Sequence, residues 1–176
     1  MSVPTLIDIQ NTIQTWVAQQ TSLTTIWAKQ NAPRPAMPYC ALTILSLTRV
    51  GHDENLPPDN TGLYKIIGNS YLNLNVSIFY KKDDATIDGI NLLDALRLSV
   101  KKQSVNDYFN ANKLSFIRPL TNIMDISEVV ATGFEQRALL DMQFLIATYI
   151  TDTVSLIQHI DGTGTVDTDK TINYEV

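Results

Sequence analysis

The sequence predicts a single α+β domain in which an N-terminal helix and a central helix pack on a mainly antiparallel sheet of long strands. Three observations lead there. Leu6, Ile9, Ile13, Trp16 and Val17 recur at three- and four-residue spacing, the mark of one buried helical face. Phe134, Ala138, Leu140, Met142, Phe144, Ile146 and Ile150 instead take even positions, with Glu135, Arg137, Asp141 and Gln143 between them. Period two gives a strand one dry face and one wet face. Finally, the order helix, strands, helix, strands, without internal repeats, suits helices segregated to one side of an antiparallel sheet.

Thr5 followed by Asp8 marks an N-cap with an acid in the first turn, and a helix of about four turns follows. A short strand is expected near Thr24 to Lys29. Pro33, Pro35 and Pro38 then force an extended linker, because proline fixes φ and biases the residue before it away from helix. Tyr39 to Val50 is rich in β-branched and aliphatic residues and reads as a core strand. Gly51 to Gly62 reads as a polar loop. Leu63–Ile67 and Tyr71–Lys81 read as a hairpin turning at Gly68-Asn69.

Asp83-Asp84 is the expected cap of a helix over 85–102, with Ile90, Leu93, Leu96 and Val100 as its buried stripe. A shorter helical piece is expected through Val105–Phe109 and a strand over Leu114–Pro119. Asn122 to Val130 offers no period, a helical turn being one option. The strand from Gly133 to Asp152 is the most telling element. At ~3.3 Å per residue its stretch from Phe134 to Ile150 alone spans roughly 55 Å, well beyond the usual strand of about 5–6 residues, so part of it should project toward a neighbour. After Asp152 a further strand, Thr153–Ile160, is expected. Residues 1–160 thus form the domain and 161–176 an extended arm, either disordered or adding a strand to a partner through Thr171–Tyr174.

With 176 residues the chain is long enough to bury most of its apolar surface without metal or disulfide. Charged residues make up only 18%, below the usual quarter, and Asn, Gln, Ser and Thr fill the deficit. A surface of neutral polar groups repels copies of itself less strongly. The net charge of −5 and the lack of a basic stripe argue against ordinary DNA or RNA binding, which relies on cations neutralising phosphates. The N-terminus shows no signal-peptide pattern and no stretch is apolar enough to span a membrane, so a soluble protein made in a cytoplasm is expected.

Candidate chemistry is sparse. The single Cys40 sits in the apolar run Tyr39-Cys-Ala-Leu-Thr-Ile and reads as a buried thiol rather than a nucleophile. Gly164-Thr-Val-Asp-Thr-Asp-Lys-Thr171 lacks the glycine before lysine and the following helix that a phosphate-binding loop requires. His52-Asp53-Glu54 and Asp59 are metal-capable, but the other histidine, His159, is remote, and these residues read as solvated loop charges. No catalytic, cofactor-binding or metal-binding residue is assigned. Trp16 reads as core. Glu135, Arg137 and Asp141, on the polar side of the long strand, are the candidate subunit interface; pairing with neighbouring strands of the same sheet is the alternative.

Pro33-Arg-Pro-Ala-Met-Pro-Tyr39 leading into a strand, Arg49-Val-Gly51 at a strand end, and Gly133-Phe-Glu-Gln-Arg-Ala-Leu-Leu-Asp-Met-Gln-Phe144 together resemble the neck or tail-terminator proteins of long-tailed bacteriophages. The resemblance runs from about residue 5 to 160 and leaves the arm unmatched. It implies a structural virion subunit forming a sixfold ring on the head-proximal end of the tail tube, ending tube growth and joining tail to head. Implied partners are other copies of itself, the tail tube protein, the tail sheath in contractile phages and the head-tail connector or neck proteins. Phage DNA would pass through the lumen without specific binding, and assembly would take place in the host cytoplasm. Another head-tail joining protein is the nearest alternative, and a monomeric binding module or a small enzyme the more distant ones.

Overall fold

The computed structural model describes residues 5–29, 31, 33–81, 88–130, 133–155, 161–166 and 170–175. The chain runs α1 (Leu6–Thr21), β1 (Thr24–Trp27), β2 (Tyr39–Leu56), β3 (Leu63–Tyr80), α2 (Gly89–Ser99), α3 (Gln103–Ala111), β4 (Leu114–Pro119), β5 (Met124–Asp125), β6 (Glu128–Val130), β7 (Gly133–Thr153), β8 (Asp161–Val166) and β9 (Lys170–Glu175). One sheet takes the order β1-β2-β3-β7-β4, with β5 and β6 also paired to β7. Among the described strands only β1 runs parallel to its neighbour. β8 and β9 form a separate antiparallel pair. The α+β class expected from the sequence is the class observed.

Thr5 begins α1 with a complete capping box: its hydroxyl accepts from the Asp8 N–H at 3.3 Å, and the Asp8 carboxylate accepts from the Thr5 N–H at 2.7 Å. From this start Ile9, Ile13, Trp16 and Val17 point into the core. They meet Leu93 and Leu96 of α2, Val105 and Phe109 of α3, and the even positions of β3 and β7 from Leu72 to Ile78 and from Ala138 to Ile146. Trp16 stands edge-on to Phe109 and Phe144, with ring centroids 5.1 and 5.9 Å away. Its indole N–H donates to Ser99 Oγ at 3.1 Å, so the one polar atom of this buried ring is satisfied.

The long strand exceeds expectation. β3 and β7 pair without interruption from Leu63↔Thr153 to Tyr80↔Gln136. Two expected breaks are therefore absent. Gly68-Asn69 is no turn but the middle of β3, and the Arg49 guanidinium lies in the space that a Cβ at Gly68 would occupy. Gly51 likewise does not end β2. It takes φ +69, beyond the easy reach of other residues, within a bulge between Val50 and Glu54, after which the strand continues to Leu56.

Other differences are local. The described start of α2 is capped by Asp88, whose carboxylate accepts from the Ile90 N–H at 2.9 Å; the expected cap at Asp83-Asp84 lies outside the described residues. Ile90 is exposed, and Gly89 takes its place against the sheet, where an added Cβ would meet the Tyr80 ring at 2.5 Å. Within Asn122–Val130 the structure has two short strands rather than a helical turn, because the outer edge of β7 offers backbone partners. Thr153 closes β7 and Val154-Ser155 are not strand; the rest of the expected strand to Ile160 lies outside the described residues.

Candidate functional site

Two regions stand out once the fold is in place. The first is the sheet face opposite the helices. The proline-bounded segment before β2 and the start of β7, about a hundred residues apart, meet there. Arg34 forms a bidentate ion pair with Glu135, and its Nε–H donates to the Tyr39 hydroxyl. The Tyr39 and Phe79 rings stack at 4.9 Å, and the guanidinium carbons of Arg34 and Arg137 each stand 5.0 Å from the Phe79 centroid. The Glu135 carboxylate holds the Arg34 guanidinium above its ordinary pKa.

The register then extends this face as a polar ladder. Arg137 donates to Ser77 Oγ at 3.1 Å and Ser77 Oγ donates to Asn75 Oδ1 at 2.8 Å. Asn75 in turn donates to the Asp141 carboxylate at 2.6 Å. One step on, Gln143 donates to Asn73 and accepts from Arg118, while Asn73 donates to Ser46. All three candidate interface residues thus have partners inside their own chain: Glu135 with Arg34, Arg137 with Ser77 and Phe79, Asp141 with Asn75. The cationic partner of Glu135 was missed in the sequence because the linker carrying it precedes β7 by a hundred residues.

The second region is a three-stranded ribbon. The buried apolar residues of β2, β3 and β7 lie no further out than Leu42, Leu72 and Ile146. Beyond them Arg49–Leu56, Leu63–Asn69 and Ala147–Thr153 stay hydrogen-bonded to each other but carry no buried hydrophobic residue. Ile150 on this ribbon is 64% exposed. Arg49 staples its base, ion-pairing with Asp53 at 2.8 Å and reaching Ser70 and Thr148, each at 3.5 Å. At its tip Asp59 accepts from the Thr61 hydroxyl and from the Thr61 and Leu63 N–H groups, which pulls its carboxyl below the ordinary value. A cleft of about 790 Å³ opens where the ribbon leaves the body, lined by Asp8, Thr12, Lys65, Asn112, Lys113 and Tyr149 among others.

Groups suited to chemistry are not drawn together in either region. Asp53 belongs to the Arg49 ion pair and Asp59 to its turn, and His159 lies outside the described residues. No set of three or more His, Cys, Asp or Glu residues among the described ones is placed to hold a metal ion. Cys40 is buried under α1 and desolvation pushes its thiol up to about 11, the reverse of what a nucleophile needs. Among the described residues, no helix is long and apolar enough to cross a membrane.

A helix-backed sheet with a bare projecting ribbon and an ion-paired polar face defines the class of a structural assembly subunit. The family follows from comparison: a model described as phage neck terminator protein matches residues 8–170, and the chain belongs to that family. Its members are structural proteins of the virion neck, where tail meets head, and this chain shares that head-tail joining role and its location. The match reaches into β9, past the point at which the sequence resemblance stopped. No curated protein matches the chain.

Proposed function

We propose that six copies of the chain form a ring on the head-proximal end of the phage tail, ending growth of the tube and presenting the surface that the head-side neck proteins meet. The observation that carries this reading is the ribbon. Three strands prolonged beyond their own hydrophobic core add nothing to the stability of an isolated subunit, and find their use when they touch another one. A heterologous contact of this kind closes into a ring when its rotation allows.

In this reading the tail tube protein sits on one side of the ring and the connector or other neck proteins on the other, with the tail sheath a further neighbour in a contractile tail. Phage DNA passes through the lumen, where a subunit of net charge −5 disfavours sticking. Assembly takes place in the host cytoplasm. Residues 1–160 are the ring-forming domain and 161–176 its arm. Glu135, Arg137 and Asp141 lend their polar face to the subunit contact, with the Arg34 ion pair presenting them in fixed positions. The protein acts by assembly, with no cofactor and no catalysis.

Negative-stain microscopy across a concentration series, with light-scattering mass on the same samples and with isolated tail tubes added, tests the proposal. Rings of about six subunits with a central hole, alone or capping tube ends, are expected. Monomers at every concentration that leave tube ends bare and still extending would refute it.

A further inference from the structure

We infer that copies meet side by side through the two ends of the sheet. The β4–β5 end of one copy docks against the β1–β2 end of the next, with Ile117 on Leu45, Met124 in a cleft that Trp27 and Phe79 line, and Asp125 against Lys29. The inference deepens the ring reading and rests on it. Three observations carry it.

Both ends carry an aliphatic bulge residue at nearly one height. β1 pairs with β2 only up to Leu42, so beyond it β2 is the end of the sheet among the described strands. There the register with β3 slips between Ile44↔Leu74 and Ser46↔Asn73, which makes Leu45 the extra residue, 52% exposed. On β4 the register with β7 slips between Phe116↔Phe144 and Arg118↔Gln143, which makes Ile117 the extra residue, 42% exposed. Leu74 pairs with Met142 and Asn73 with Gln143, so the two bulges lie within about one residue, ~3.3 Å, of the same height along the strands. A bulge re-aims a side chain, and an aliphatic one aimed into water gains by burial. Leu47 and Leu120, both exposed, lengthen the two strips.

A second match lies lower on the same two ends. Beside β1 a cleft of about 320 Å³ is lined by Trp27, Lys29, Arg34, Tyr39 and Phe79 among others, at the height of Tyr39 to Ala41. Through the register of β2, β3 and β7 that height corresponds to Arg137 to Leu139, where β5 sets Met124 opposite Leu139 and Asp125 opposite Ala138. Met124 is 41% exposed, and its unbranched thioether suits a cleft walled by aromatic rings. The charges correspond as well. Among the described residues Lys29 has no acidic partner, and Asp125 accepts from Ser127 but meets no cation. Arg34, the other cation of the cleft, is taken by Glu135, and Arg118 of β4 donates to Gln143 of its own chain.

Equal height is what a ring demands. Rotation about an axis along the strands leaves every residue at its own height, so the two surfaces of a heterologous contact have to be level with each other. Two different, level surfaces at opposite ends of one sheet meet that condition, and all ribbons then leave the ring on the same side.

The test uses full-length protein with tail tubes present. Leu45 and Ile117 stand three strand spacings apart, roughly 14 Å, beyond the ~7 Å that a disulfide spans, so a link between them joins two copies. Under mild oxidation Leu45→Cys/Ile117→Cys should give a ladder of covalent oligomers. An equimolar mixture of the two single variants should give dimers and nothing larger, and either one alone should give no link. Lys29→Glu or Asp125→Lys alone should raise the half-assembly concentration about fivefold or more with little change in melting temperature, and the two together in one chain should restore it. Rings that form without these links, single variants that link to themselves, or a normally melting swapped pair that fails to restore assembly would overturn the inference and leave the ring intact. A wild-type chain that never assembles would overturn the ring reading and this inference with it.

Discussion

The two halves of the same three strands live in different surroundings. From Leu72 to Tyr80 and from Gln136 to Ile146 the strands carry a helical layer on one face and a hydrogen-bonded polar ladder on the other. From Leu63 to Asn69 and from Ala147 to Thr153 they keep the same pairing and lose the helices. Backbone hydrogen bonding is therefore not what separates body from ribbon; burial is. Stability belongs to the first half, and surface free for partners belongs to the second.

Substitutions sharpen that contrast, beginning in the body. Trp16→Ala removes a ring packed edge-on to Phe109 and Phe144, and should cost about 3–5 kcal/mol in denaturant unfolding. A loss under about 1 kcal/mol would show that the helical layer is not the main source of stability. Gly89→Val drives a branched side chain into Tyr80 and Ala138, and about 1–3 kcal/mol of overpacking is expected by the same measurement. Thr5→Ala opens the capping box and should cost about 1 kcal/mol.

The ribbon should respond in the opposite sense. Ile150→Ser, at a largely exposed position, should move folding stability by no more than about 0.5 kcal/mol while reducing ring yield. An unfolding penalty like that of Trp16→Ala would erase the distinction between the halves. Acid should act on the tip first. Because Thr61 and Leu63 lower the Asp59 pKa, their contribution is complete above the ordinary value of 3.8 and fades as pH falls through the lower folded-state value. Amide exchange at Thr61 and Leu63 should accelerate in that window in wild type and show no such dependence in Asp59→Asn.

Much of the body was legible because its patterns are local. The α1 stripe, the Thr5 cap and the alternation along β7 each follow from residues within one element. The glycines misled for a physical reason: Gly68 and Gly51 look like punctuation, yet one makes room for Arg49 and the other shapes a bulge, and both needs arise from a neighbouring strand. The site was legible only in part. Arg137 and Asp141 fall on the polar face as their spacing implies, while their partners Ser77 and Asn75 depend on a register with β3 about sixty residues away. The ion pair of Glu135 with Arg34 required knowing that the proline linker crosses to the start of β7.

The central position of β3 also has a kinetic consequence. β3 lies between β2, which precedes it by a short connection, and β7, which is synthesised only after both later helices. At about 5–20 residues per second the ribosome leaves one edge of β3 without its partner for several seconds, and the longest pairing in the molecule waits for a strand made late. Such non-local pairing folds slowly. A nascent subunit therefore cannot offer a finished ribbon to a growing tail until nearly its whole length has emerged, which delays its competence to act until the chain is almost complete.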